Sequence, residues 1–204
     1  LIEEKHKEAA ESIKQKVLAS KKEKMIIAIS GESGSGKSEL AHSLAKALQN
    51  EGVVAKPLHI DNYYKTHPLE RNEWRKKHGI ESIGYNEYDW DTIYDNIESF
   101  KKGEKAEMPC IDLVTQQVDK LITDFSGVDM LIVDGLYAIK TENSDLNVLI
   151  DLTYHETKKA QLKRGKEKVN DFRMQVLERE HQVVRSLYDR ADLIVNKSYK
   201  VEEA

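Results

Sequence analysis

The chain has 204 residues, 39% apolar and 33% charged, enough for one large domain with a continuous core and a heavily charged surface. Its net charge of −4 gives no global attraction to nucleic acid or to anionic membranes, so neither is expected as a partner. Any anionic ligand must be held by a local positive cluster. The single cysteine, Cys110, excludes an internal disulfide and a zinc cluster and reads as a small, half-buried strand residue; this composition suits a reducing cytoplasm, the expected location. No apolar run approaches the ~20 residues of a membrane span, and the Lys- and Glu-rich opening contains no apolar core of a signal peptide.

In chain order, residues 1–24 predict a helix with Ile2, Ala9, Ile13 and Val17 on one face. That stripe is thin. It fits either the domain edge or a partner subunit, which leaves a homo-oligomer open, and makes 1–24 an N-terminal helical extension to a domain at 25–204. MIIAIS (25–30) is a bare apolar run of the kind that forms a strand covered on both faces. A glycine-rich loop follows, then an amphipathic helix over 38–52 and a strand over 53–60, which is a βαβ opening. Residues 61–90 are charged and aromatic, punctuated by Pro68, Gly79 and Gly84, and predict an irregular segment beside the ligand. A helix is expected over 91–103, capped by Asp91 and ended by Gly103. Residues 107–125 read as a flap hairpin outside the main sheet. Strands are expected at 129–135, 147–153 and 191–196, and helices at 155–168 and 170–189. The fold class is therefore α/β, a doubly wound, mainly parallel five-stranded sheet with ligands at the carboxyl ends of its strands.

Gly31-Glu32-Ser33-Gly34-Ser35-Gly36-Lys37-Ser38 fits the phosphate-loop pattern G-x-x-x-x-G-K-[ST]. Its glycines let backbone N–H groups turn inward around an anion, and the following helix points its positive end at the same place. Lys37 supplies a charge for the β- and γ-phosphates, and Ser38 offers a hydroxyl to Mg²⁺. The nucleotide-binding set runs from Gly31 through Ser38 to Glu39. LIVDG supplies Asp134 as the second acid of an Mg²⁺ site, the alternative being a cap for a following helix. Asp61, after the second strand, is placed to accept a proton from an attacking hydroxyl or to orient it; the alternative is a turn-forming Asp-Asn pair.

GESGSGKS, DNYYK, NEYDWD, PCIDLVT, LIVDG and a late basic helix occur in that order, and over residues 25–196 the chain resembles the uridine kinase and phosphoribulokinase family of P-loop small-molecule kinases. The resemblance implies a P-loop kinase domain at 25–204 with a helical lid, ATP and Mg²⁺ as cofactors, and a small-molecule hydroxyl acceptor, uridine or cytidine by default. It makes Asp61 the base and places Tyr64 against the acceptor. It assigns a lid arginine to Arg164, within 155–168. The catalytic set is then Asp61, Lys37 and Arg164. The nucleoside half departs from the family pattern. Tyr88 stands where an Asp binds ribose, with Asp89 displaced by one, and Ile111 and Gln116 replace a Tyr and a His of the base pocket, although Asp112 is kept. Substrate-side candidates are thus Asp61, Tyr64, Asp89 and Asp112. Tyr85, Tyr88 and Trp90 are either a new stacking surface or ordinary core and surface aromatics. His67, Arg71, Arg75 and Lys76 read as a solvated charge run, with an anionic-acceptor site as the alternative. A sugar phosphate or vitamin precursor is the variant acceptor. A nucleotide-hydrolysing module would need a guanine-reading N-K-x-D, and Asn196-Lys197-Ser198-Tyr199 lacks its Asp.

Overall fold

The computed structural model describes residues 1–158 and 170–204. The elements are α1 (Glu4–Ala19), β1 (Met25–Gly31), α2 (Lys37–Asn50), β2 (Ala55–His59), α3 (Arg71–His78), α4 (Trp90–Lys102), β3 (Lys105–Ile111), β4 (Val118–Asp124), β5 (Met130–Asp134), β6 (Leu146–Ile150), α5 (Asp171–Arg185), β7 (Leu193–Val195) and β8 (Val201–Glu203). The main sheet is six-stranded, ordered β2-β5-β1-β6-β7-β8. The first five of these are parallel neighbours, and β8 adds an antiparallel edge to β7. The five parallel strands are those expected. The sixth was not, because its residues, Val201-Glu202-Glu203, carry no apolar run.

Side chains of β1 alternate between two cores, as a pleated strand requires. Ile26 and Ala28 face a cluster with Ile93, Ile97 and Phe100 of α4 and Val183 and Val184 of α5. Met25, Ile27 and Ile29 face another, with Leu40, Leu44 and Leu48 of α2. Ala9, Ala10, Ile13 and Val17 of α1 are buried in that second cluster, so the N-terminal stripe lies on this chain's own core except for Ile2, which precedes the helix and is exposed. Each aliphatic side chain fully buried there contributes about 1.5–3 kcal/mol. Pro57 is accommodated because β2 is an edge strand.

Two expectations for the middle of the chain change. The segment at 61–90 is not wholly irregular, since it contains the eight-residue helix α3. Only Trp74 in RNEWRKKH is apolar, so no hydrophobic period announces that helix; its buried residue is Arg75. The N-cap of α4 is Asp89, whose Oδ1 accepts from the Thr92 backbone N–H at 3.1 Å, rather than Asp91. Its C-cap is Gly103, left-handed at φ +69°, as expected. The hairpin β3–β4 forms its own two-stranded sheet, with Cys110 half-buried on it.

Candidate active site

The strand register brings the candidate acids to one edge. On the sheet, Asp134 stands opposite Ile29 of β1 and opposite His59 of β2. The phosphate loop leaves β1 at Gly31, and Asp61 follows β2 in a short 3₁₀ turn over Ile60–Tyr63. Parallel pairing thus aligns three loops at the carboxyl ends of neighbouring strands, where open α/β sheets bind ligands.

The loop residues Gly34 and Gly36 have positive φ (+80° and +92°). Lys37 Nζ donates to the Glu32 carbonyl at 2.9 Å. A Cβ on Gly36 would lie 2.7 Å from both His6 Nε2 and the Tyr199 hydroxyl. Tyr199 donates from its hydroxyl to the Ser35 carbonyl at 3.1 Å, and the His6 ring meets its ring edge-on at 5.1 Å. Two residues from opposite ends of the chain therefore back the phosphate loop. No local pattern in the sequence marks either of them. Asn196 accepts from the Ser198 and Lys200 backbone N–H groups, so the Asn-Lys-Ser-Tyr stretch is a turn that delivers Tyr199.

Glu32 is 4% exposed. Its carboxylate accepts from the Tyr154 backbone N–H at 2.6 Å and contacts His181 Nδ1 on α5. Thr157 Oγ1 donates to the Ser33 carbonyl at 2.8 Å. The phosphate loop is thereby tied to the helical stretch at 154–158 and to α5. The Glu32 side chain serves these ties, which leaves its backbone to the loop. Glu39 is half-buried in the first turn of α2. The expected lid arginine, Arg164, lies outside the described residues.

Ser38 Oγ donates to Asp134 Oδ1 at 3.0 Å, and Asp134 Oδ2 meets His59 Nδ1 at 2.5 Å. Burial lowers the proton affinity of His59, but the hydrogen bond and charge of Asp134 outweigh it, so its pKa is raised. The donor set fits Mg²⁺: a hydroxyl and a carboxylate, both hard oxygens, stand side by side. Among the described residues no group of three or more His, Cys, Asp and Glu could hold a metal. Few protein oxygens suit an ion that keeps several waters and takes phosphate oxygens.

On the other side of the site, Asp61 is exposed and has no hydrogen bond or ion pair among the described residues. Asn62 Oδ1 accepts from the Ile111 backbone N–H at 3.2 Å, fastening the flap hairpin to this turn. Tyr64 and Tyr88 form a one-residue antiparallel bridge, and the Tyr88 hydroxyl donates to that of Tyr64 at 2.7 Å. Tyr88 is fully buried, so it is core behind Tyr64 rather than a stacking surface, while Tyr85 and Trp90 are partly buried against the same cluster. Burial first, then the charges of Asp61 and Glu180, push the Tyr64 phenol well above its usual range.

Asp89 and Asp112 are engaged within the protein. Asp89 holds the Thr92 backbone N–H and hydroxyl. Asp112 Oδ1 accepts from the Val114 and Thr115 backbone N–H groups, each at 2.8 Å, and these bonds lower its pKa. Gln116 turns its amide to the Leu113 carbonyl in the same hairpin tip.

Arg75 is 3% exposed, so it is not part of a solvated run. Its Nε and Nη2 grip both oxygens of Glu87, at 2.6 and 3.1 Å, and Nη2 lies 3.5 Å from Glu180. Arg71, one helical turn earlier, instead lays its guanidinium on the Tyr64 ring, 3.4 Å from the centroid.

A phosphate loop whose last serine meets an acid at the end of the neighbouring parallel strand defines a P-loop α/β protein. The chain belongs to the phosphoribulokinase / uridine kinase family, whose model matches residues 26–200. It is 30% identical over 142 residues to uridine kinases of Staphylococcus aureus, a match covering 68% of this chain and 64% of the length of those relatives. Its fold resembles that of a provisionally assigned fructose transport system kinase from Silicibacter sp., with a TM-score of 0.66 at 17% identity over 87% of this chain and 94% of that one. It also resembles D-glycerate 3-kinase from Cryptococcus neoformans, with a TM-score of 0.62 at 14% identity over 96% and 97%. At those identities the structures testify to the fold alone. Among the described residues no helix is long and apolar enough to cross a membrane.

Proposed function

We propose that the chain is an ATP- and Mg²⁺-dependent phosphotransferase that moves the γ-phosphate to a hydroxyl of a small molecule. The observation that carries this reading is the alignment, at one sheet edge, of the Ser38–Asp134 pair with the Asp61 carboxylate, which is unpaired among the described residues. In this reading the loop amides from Gly31 to Gly36 and the Lys37 ammonium hold the β- and γ-phosphates. Ser38 and Asp134 hold the metal, which when bound neutralises charge on the phosphates. Asp61 accepts or orients the acceptor's proton, and Arg164 covers the transferring group.

Family membership and the uridine kinase relatives support transfer to a nucleoside. The replacement of two base-pocket residues by Ile111 and Gln116, the latter bonded within its own hairpin, favours another acceptor. The test is ADP formation with Mg²⁺, alone and with uridine, cytidine, sugar phosphates and hydroxy acids. Turnover stimulated by one compound is expected. Turnover that no compound stimulates would transfer the reading to nucleotide hydrolysis.

The phosphate loop makes its own prediction. Gly36→Ala forces an L residue to φ +92° and drives its Cβ against His6 and Tyr199. The left-handed conformation alone costs about 1–2 kcal/mol, so ATP is expected to bind roughly tenfold more weakly, or worse. Titration of ATP against both proteins checks this, and equal affinities would show that the turn is not what holds the phosphates.

A further inference from the structure

We propose that the acceptor carries a fixed anionic group, a phosphate or a carboxylate, and that Arg71 binds it. This inference rests on the kinase reading above and names the substrate class of its acceptor side.

The case begins with two arginines on one helix, four residues apart. Arg75 uses the edge formed by Nε and Nη2 to hold both oxygens of Glu87. In Arg71 the same two atoms, Nε and Nη2, are buried without any hydrogen-bond partner among the described residues. Arg71 also has no ion pair among the described residues. A guanidinium edge is shaped for two parallel N–H···O bonds to a carboxylate or phosphate. Leaving such donors buried and unsatisfied is costly. Within one helix, then, one fork is filled by the protein's own carboxylate and the other meets none among the described residues.

The location of that fork joins it to the acceptor side. Arg71 lies on the Tyr64 ring, and both Asp61 and Arg71 act electrostatically on the Tyr64 phenol. Tyr64 follows Asp61 by three residues and its ring is packed between Arg71 and Tyr88, so a molecule offering a hydroxyl to Asp61 and an anion to Arg71 would pass along the Tyr64 edge. Among the described residues no carboxylate pairs with Arg71. Glu87 and Glu180 are taken by Arg75, and Asp61 has no ion pair among the described residues. The Arg71 Nε–Nη2 edge is buried while the residue as a whole is half-buried.

The experiment uses ribose, ribose 5-phosphate, ribonate and uridine as probes, with two readouts, equilibrium binding and acceptor-stimulated ADP formation. Wild type is expected to bind ribose 5-phosphate or ribonate at least tenfold more tightly than ribose, and which of the two binds separates phosphate from carboxylate. Arg71→Gln is expected to erase that preference and Arg71→Lys to restore part of it, the change appearing in KM rather than kcat. Equal binding of charged and neutral probes by wild type, a preference that survives in Arg71→Gln, or tighter binding of uridine than of either anion would overturn the proposal. Anion binding that depends on Arg71 but never stimulates ADP formation would uphold the site and sink the kinase reading instead.

Discussion

Asp61→Asn is expected to lower acceptor-stimulated phosphate transfer by about 10²–10⁴-fold, the range supplied by a positioned general base, while leaving ATP affinity at its wild-type value. The substitution keeps the shape and removes the charge and the site for a proton. The expectation follows from placement. β2 pairs with β5 in register, His59 opposite Asp134, and Asp61 lies two residues further on. Its carboxylate has no internal partner among the described residues, in contrast to the other acids assigned to the acceptor. Asp89 uses both oxygens on Thr92, and Asp112 organises the hairpin tip. Asp89→Asn and Asp112→Asn should therefore act mainly on the start of α4 and on the hairpin, with a much smaller change in kcat. Steady-state ADP formation with whichever compound stimulates turnover, and a separate ATP titration, give the two numbers needed. A kcat for Asp61→Asn within a few-fold of wild type would remove it from proton transfer and favour its reading as a turn former.

What the sequence made legible was local. The bare runs MIIAIS and MLIVD read as strands covered on both faces, and each is wholly buried. Glycine at the end of α4 and in the phosphate loop announces left-handed backbone, and both are found. The parallel order of five strands follows from alternation with helices. The losses lie where distant residues decide. β8 has a polar sequence and exists because β7 offers it an edge. The choice of Asp89 over Asp91 as cap depends on the pairing of residues 63–65 with 87–89, which holds Asp89 just outside the helix. His6 and Tyr199 reach the phosphate loop from the two ends of the chain. Arg71 and Arg75 share one charged stretch and one residue type, and only the partners set them apart.

Arg75→Met tests that last distinction, with the largest stability change predicted for this chain. Arg75, Glu87 and Glu180 are 3%, 5% and 4% exposed, so all three charges have left water. Removing the cation alone takes from the buried Glu87 carboxylate its bidentate partner and from Glu180 its 3.5 Å contact, and breaking a buried pair in this way costs about 3–5 kcal/mol. For a domain of this size, that lowers Tm by roughly 6–20 °C. The loss should come from uncompensated charge rather than lost packing, because Met fills much of the same volume. Adding Glu87→Gln and Glu180→Gln to Arg75→Met should therefore recover most of the loss, whereas a cavity would persist. Thermal melts of the single and triple variants separate the two causes. The same variant bears on Arg71. With Arg75 gone, Glu87 needs a cation, and Arg71 stands one turn earlier on the same helix. Anionic probes should then bind more weakly to Arg75→Met than to wild type, because the freed carboxylate competes for the fork, and the triple variant should regain them. Unchanged anion binding in the folded single variant would show that the two arginines act independently. A Tm loss below about 2 °C, less than 1 kcal/mol, would show that the triad remains solvated.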